Sequence, residues 1–252
     1  CRVAADGSGS SRAAFEGASK YLSARAGEAR MTVRPQTAGA MSAGVAHLRT
    51  LVSAIHVEPD FSVPWAPEAM AVLAREYQHA ADFYILGISS GAPFRLSPLE
   101  KTIQRLKGLH RPEAPCGAGR SLIAVGTDGT LYPCHRFVGN ARFAAGNVDR
   151  GASDEVLKPF QSFRARFDAR PQGKAGCAYC SAVMTCVGGC PAANVAATSD
   201  PRSIPPAWCQ VQRIIGREAL RALYLLTHDP DTAPRWERYS AGKNTPAKAS
   251  CC

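Results

Sequence analysis

No apolar run in this 252-residue chain approaches the roughly 18–20 residues that span a bilayer, so a transmembrane helix is excluded. No basic start followed by an apolar stretch opens the chain, so no secretory signal is expected. Runs of like charge are missing too. The 30 lysines and arginines give a formal charge of +10, but they are spread along the chain with no run of five and no interleaved aromatics. That argues against a nucleic-acid partner and leaves attraction for an acidic peptide or protein as the use of the charge. Cysteine, at 10 residues, is too sparse for a disulfide scaffold. What is present is an apolar fraction of 46%, enough to bury the core of one large or two small domains. Residue 1 is cysteine rather than methionine, so the chain is expected to be processed or a fragment.

The first hundred residues alternate helix and strand. Ser10–Ala26 has helical spacing of Phe15, Ala18, Tyr21 and Leu22, and Ala29–Arg34 alternates as a strand that stops at Pro35. A helix is expected over Ala40–Ala54, a strand over Ile55–Asp60 and a third helix over Pro67–Ala81. This order predicts an α/β domain with parallel strands, the C-terminal part of a larger unit because two strands make too small a sheet. Ser97–Leu109 reads as a helix with Ser97 as N-cap and Pro98 at the first position. Beyond it glycine, proline and cysteine rise. Asp128-Gly129 marks a hairpin between Ser121–Thr127 and Thr130–Tyr132, with Tyr132, Phe137 and Phe143 as its core, and Trp65 is expected to pack the sheet. Residues 191–207, with four prolines, read as an irregular loop, and Cys209–Thr227 as a last amphipathic helix. The domain boundaries are set at 1–109, 110–227 and a polar, disordered tail at 228–252.

The cysteines are unevenly placed: Cys1 begins the chain, Cys251 and Cys252 end it, and the other seven lie between 116 and 209. Such clustering points to metal. Cys116 and Cys134 flank Gly129 in a CX12GX4C pattern; Cys177, Cys180, Cys186 and Cys190 follow as CX2CX5CX3C; Cys209 stands apart. A soft metal centre takes about four thiolates, so seven are too many for one centre and one short of two. Two centres are implied, one with a non-cysteine or open position. Zinc and redox or disulfide thiols are the alternatives to iron–sulfur ligation; the tight four-cysteine run favours iron–sulfur.

These residues resemble the seven-cysteine signature of the SPASM domain of radical SAM enzymes that modify peptides and proteins. The words Cys116-Gly-Ala-Gly119, Gly129-Thr-Leu-Tyr-Pro-Cys-His-Arg-Phe-Val-Gly139 and Phe143-Ala-Ala-Gly-Asn-Val148 are similar to those of peptide maturases in that family. Upstream, Arg2–Ser11 resembles the segment after the fourth barrel strand, and Met31–Pro35 and His56–Asp60 the fifth and sixth strands. The resemblance covers about residues 1–227. It implies an α/β fold: the C-terminal part of a (β/α) radical SAM partial barrel, followed by an irregular, cysteine-rich SPASM domain with a β-hairpin and a C-terminal helix.

By the same resemblance, Cys116, Cys134 and Cys190 bind one auxiliary 4Fe–4S cluster, and Cys177, Cys180, Cys186 and Cys209 a second. His110 stands where some relatives have a further cysteine and is one candidate fourth ligand of the first cluster; His135 is another, and an open iron position that binds a substrate thiolate is the third. Arg2 matches an arginine that helps hold S-adenosylmethionine, with a plain surface arginine as the alternative. Thr32, Arg34, Glu58 and Asp60 end barrel strands on the side where active sites sit; Glu58 and Asp60 are expected to cap the following turn rather than act on substrate. The CX3CX2C loop that would hold a third 4Fe–4S cluster and S-adenosylmethionine is absent, and the family implies that it lies upstream in the full-length protein. The implied activity is post-translational modification of a peptide or protein that contains cysteine, with thioether cross-linking preferred and formylglycine formation, carbon–carbon cross-linking or a non-enzymatic metal-binding module as alternatives. An external electron donor and a reducing cytoplasm are implied partners and place.

Overall fold

The computed structural model describes residues 2–4, 27–108, 116–161, 177 and 180–241. The described residues fall into two units: those of 1–109 with 210–247, and those of 110–209. The helix expected over Ser10–Ala26 and His110 lie outside the described residues.

The first unit is built on a parallel sheet in the order β1 (Arg2–Ala4), β2 (Glu28–Val33), β3 (Ala54–Pro59), β4 (Arg95–Ser97). Arg2–Ala4 is thus itself a strand rather than a segment following one. Between β2 and β3 lie a 3-10 turn, Pro35–Ala40, and helix α1 (Met41–Arg49); α2 (Pro67–Ser89) joins β3 to β4, and α3 (Leu99–Leu106) follows β4. Alternation sorts each strand: Ala29, Met31 and Val33 of β2, Ile55 and Val57 of β3 and Leu96 of β4 are buried. Met41, Val45 and Leu48 form the buried stripe of α1, which packs on β2 and β3, and α2 packs on α1.

Three boundaries differ from those expected. Helix α1 stops at Arg49 because Ala54 is taken into β3. Helix α2 runs on to Ser89, since Tyr84 and Ile88 continue its buried stripe. Ser97 is not an N-cap: it closes β4, in register with His56, and Pro98 takes the cap position of α3.

In the second unit β5 (Ala124–Val125) and β6 (Leu131–Tyr132) form the expected antiparallel hairpin. Asp128 closes its turn by accepting from the Thr130 amide at 3.0 Å and hydroxyl at 2.8 Å. A second small pair follows, β7 (Gly146–Asn147) with β8 (Gly151–Ala152), and then α4 (Asp154–Gln161). The core is aromatic: Phe137 stacks near Phe143 (ring centroids 4.5 Å apart) and meets Phe160 edge-on at 5.3 Å. Gly119 is required there, for a Cβ on its positive-φ backbone would come within 2.7 Å of the Phe160 Cβ. The prolines of 191–207 do not make a loop throughout. Residues Pro191–Thr198 form helix α5 with Pro191 in its first turn, where a missing N–H costs nothing.

Helix α6 (Pro206–His228) and helix α7 (Ala233–Ala241) follow. The carboxylate of Glu218, 2% exposed, accepts from Arg217 at 2.9 Å and Arg221 at 2.8 Å, and Arg221 also pairs with Asp82 of α2 at 2.7 Å. The expected tail from 228 is corrected over α7. Trp236 is buried beneath the Lys107 ammonium, Arg235 donates to the Ser89 carbonyl, and the Tyr239 hydroxyl donates to the Phe94 carbonyl at 3.0 Å and the Glu100 carboxylate at 3.1 Å. Two aromatic anchors and these polar ties dock an otherwise polar helix within the first unit, on α2, β4 and α3 and the residues beside them.

Candidate iron–sulfur cluster sites

All seven cysteines between 116 and 209 are thiols rather than disulfides. Cys134 is buried, delivered by β6 through Pro133 to the start of a 3-10 turn, His135–Phe137. Burial raises its thiol pKa. The Arg136 amide opposes this by donating to the sulfur, and the neighbouring thiols of Cys190 and Cys116 add to the rise. Cys186 forms a separate neighbourhood. Burial pushes its thiol up to about 11; the Gly188 N–H, 3.4 Å from the sulfur, opposes; and the charges of Cys209, Cys177 and Cys180 add to the rise. Cys116, Cys134 and Cys190 are therefore electrostatic neighbours, as are Cys177, Cys180, Cys186 and Cys209. Among the described residues no three His, Cys, Asp or Glu side chains close on a single-ion site.

Cys186 and Cys190 are close in sequence, and the chain turns sharply between them. The Gly188–Gly189 pair between them takes positive φ at both positions (89° and 80°), which turns the chain. A Cβ on Gly189 would lie 2.9 Å from Asn194 Oδ1 and 3.1 Å from Trp208 Nε1. Asn194, 1% exposed, fixes the turn: its side-chain amide donates to the carbonyls of Gly188 at 2.9 Å and Pro201 at 2.8 Å. Cys190 then caps α5. Nothing in the sequence pattern singled out Asn194; it lies in the stretch read as a loop. Arg136, which donates from Nη1 to Cys190 Sγ at 3.4 Å, lay inside the Cys-His-Arg-Phe-Val-Gly word but carried no signal of its own. His135 is exposed in the same turn.

The polar positions of the parallel sheet share its other face. Arg2, Arg30, His56 and Ser97 fall in register across β1–β4, and Ala4, Thr32 and Glu58 form the next row. His56 Nδ1 lies 3.1 Å from Ser97 Oγ. Its pKa is lowered to about 4 by burial, with the charges of Arg30 and Lys101 adding. Beyond the strand ends, Arg34 pairs with Asp60 at 3.1 Å. The Asp60 carboxyl sits below the usual carboxylate range chiefly because the Ser62 hydroxyl donates to it, and the Trp65 indole donates to its carbonyl at 2.8 Å. Asp60 is thus a turn-closing residue, and Trp65 braces that turn.

Residues 116–181, which hold Cys116, Cys134, Cys177 and Cys180, match the SPASM family, described as an iron–sulfur cluster-binding domain. Cys186, Cys190 and Cys209 lie beyond the matched stretch. Over 102 residues the chain is 38% identical to the mycofactocin maturase MftC of Mycobacterium ulcerans (strain Agy99), a match covering 40% of this chain and 26% of that protein. Its fold is similar to that of anSMEcpe with bound AdoMet. The histidine-tagged form superposes with a TM-score of 0.56 at 14% identity, covering 90% of this chain and 62% of the other; the native form does so at 0.50 and 12%, covering 92% and 62%. The chain thus spans less than two thirds of these relatives. The fold is of the class expected from the sequence: parallel β/α units as in a partial barrel, then an irregular cysteine-rich region with a hairpin, part of which matches the SPASM family. Among the described residues no helix is long and apolar enough to cross a membrane.

Proposed function

We propose that these 252 residues are the SPASM-bearing part of a radical SAM enzyme that modifies a cysteine-containing peptide or protein, with a thioether cross-link as the product. The observation that carries this is the run of seven cysteines between 116 and 209, the first four of them inside the stretch that matches an iron–sulfur cluster-binding domain. The donor set suits iron–sulfur clusters, since it is all thiolate, lies among glycines and receives N–H donors at sulfur. Cys116, Cys134 and Cys190 hold one auxiliary 4Fe–4S cluster, and Cys177, Cys180, Cys186 and Cys209 the second. When bound, such clusters supply an electron relay, and the three-thiolate set leaves an iron position for a substrate thiol. The likeness to a maturase and to structures with bound AdoMet supports a peptide substrate and S-adenosylmethionine as cosubstrate. In this reading Arg2, in register with Arg30 across β1 and β2, helps hold S-adenosylmethionine. An external donor supplies electrons in this reading, and the thiolate chemistry suits a reducing cytoplasm.

The assay is 5′-deoxyadenosine formation with dithionite and S-adenosylmethionine, together with the mass of a cysteine-containing precursor peptide encoded nearby. These residues alone are expected to produce none, because they lack the CX3CX2C loop. A longer form that includes the loop is expected to turn over and to leave the peptide lighter by two hydrogens. Turnover by the 252 residues would contradict the reading. Turnover by the longer form with no such mass loss would remove the thioether assignment.

A further inference from the structure

Arg136 touches two thiols of one group by two different routes. It sits in the 3-10 turn His135–Phe137, held by the Phe137 amide donating to the Cys134 carbonyl at 3.0 Å and by the Phe137 ring buried against Phe143 and Phe160. From this fixed turn its backbone N–H donates to the sulfur of Cys134, and its guanidinium donates to Cys190 Sγ at 3.4 Å, 54 residues along the chain. Cys190 is itself held, with its carbonyl accepting from the Asn194 amide at 2.8 Å as α5 begins. Its thiol therefore stands beside the Arg136 guanidinium and at the start of a helix.

We infer that Arg136 is the positioning residue of the three-thiol group, joining the sulfurs of Cys134 and Cys190 by its own donors and raising the reduction potential of the cluster they hold. This rests on the reading that Cys116, Cys134 and Cys190 bind that cluster. Reduction adds negative charge to the cluster and its sulfurs, and hydrogen-bond donors with a positive charge stabilise that state more than the oxidised one. Arginine suits the task because its guanidinium stays charged and presents a rigid fork of donors; lysine keeps the charge but loses the fork. The second group offers an internal control. There Cys186 takes its hydrogen bond from the Gly188 amide, which a side-chain change at 136 leaves in place.

The test uses the whole chain after anaerobic reconstitution, as wild type, Arg136→Gln and Arg136→Lys, with iron per chain and redox titrations followed by electron paramagnetic resonance. Arg136→Gln should keep its iron and shift one of two cluster signals to lower potential. A tenfold change in the reduction equilibrium, about 59 mV for a one-electron couple, is the expected scale. Arg136→Lys should shift the same signal less, and the other signal should not move in either variant. If neither signal moves in Arg136→Gln, or both move alike, the inference is overturned. Equal loss of iron from both variants would also overturn it, by making Arg136 a residue of folding alone. A wild-type chain that takes up no iron or sulfide would instead overturn the cluster reading beneath it.

Discussion

Cys180→Ala and Cys190→Ala, ten residues apart, are each expected to remove about half of the iron, and to empty different clusters. Sequence distance alone would put them together, since both lie in the CX2CX5CX3C run. In the proposed assignment they part at Gly188–Gly189, where two left-handed residues turn the chain between Cys186 and Cys190. Separate centres lose ligands independently, so the double variant should lose nearly all its iron. Thermal stability should fall with each loss, because strands as short as β5–β8 hold little structure without the metal. Cys251→Ala with Cys252→Ala should change nothing, as neither belongs to either group. Iron per chain and the paramagnetic signal of each reduced variant decide the matter. If both single variants remove one and the same signal and the double removes no more, the CX2CX5CX3C run holds a single cluster by itself.

His56→Gln is expected to flatten the dependence of stability on acid. The imidazole lies on β3 beside Ser97 and near two cations, and its folded pKa of about 4 is below the unfolded value of 6.5. A base with a depressed folded pKa contributes its stability in full above the unfolded value. Between 6.5 and 4 the unfolded chain binds more protons, so that contribution is lost as pH falls through this window. Its whole span is about 3 kcal/mol. Melting curves from about pH 7.5 down to about 4.5 should fall more steeply for wild type than for His56→Gln, and the ring proton resonance of His56 should titrate near 4. Equal slopes in the two proteins, or a resonance titrating near 6.5, would show that the imidazole is not held neutral by this site.

Much of this architecture is legible in the sequence, and the exceptions share a physical reason. Period-2 and period-3.6 patterns marked β2, β3, α1 and α2, because each buries one face against the others. Asp128-Gly129 marked its hairpin through local turn chemistry. By contrast β4 has one apolar residue, Leu96, and is a strand only because β3 offers it a partner. Helix α5 begins at Pro191, a residue that reads as a breaker until its place in the first turn is known. Helix α7 is polar and exists through Trp236 and Tyr239 docking on residues far back in the chain. The seven cysteines stood out at once through spacing, whereas Arg136 and Asn194 gain their roles only from contacts the fold creates.

If the seven thiols hold two iron–sulfur clusters, iron, acid-labile sulfide and zinc per chain after anaerobic reconstitution will show it. The account predicts about eight iron and about eight sulfide, with zinc absent. Stoichiometric zinc without iron would contradict it.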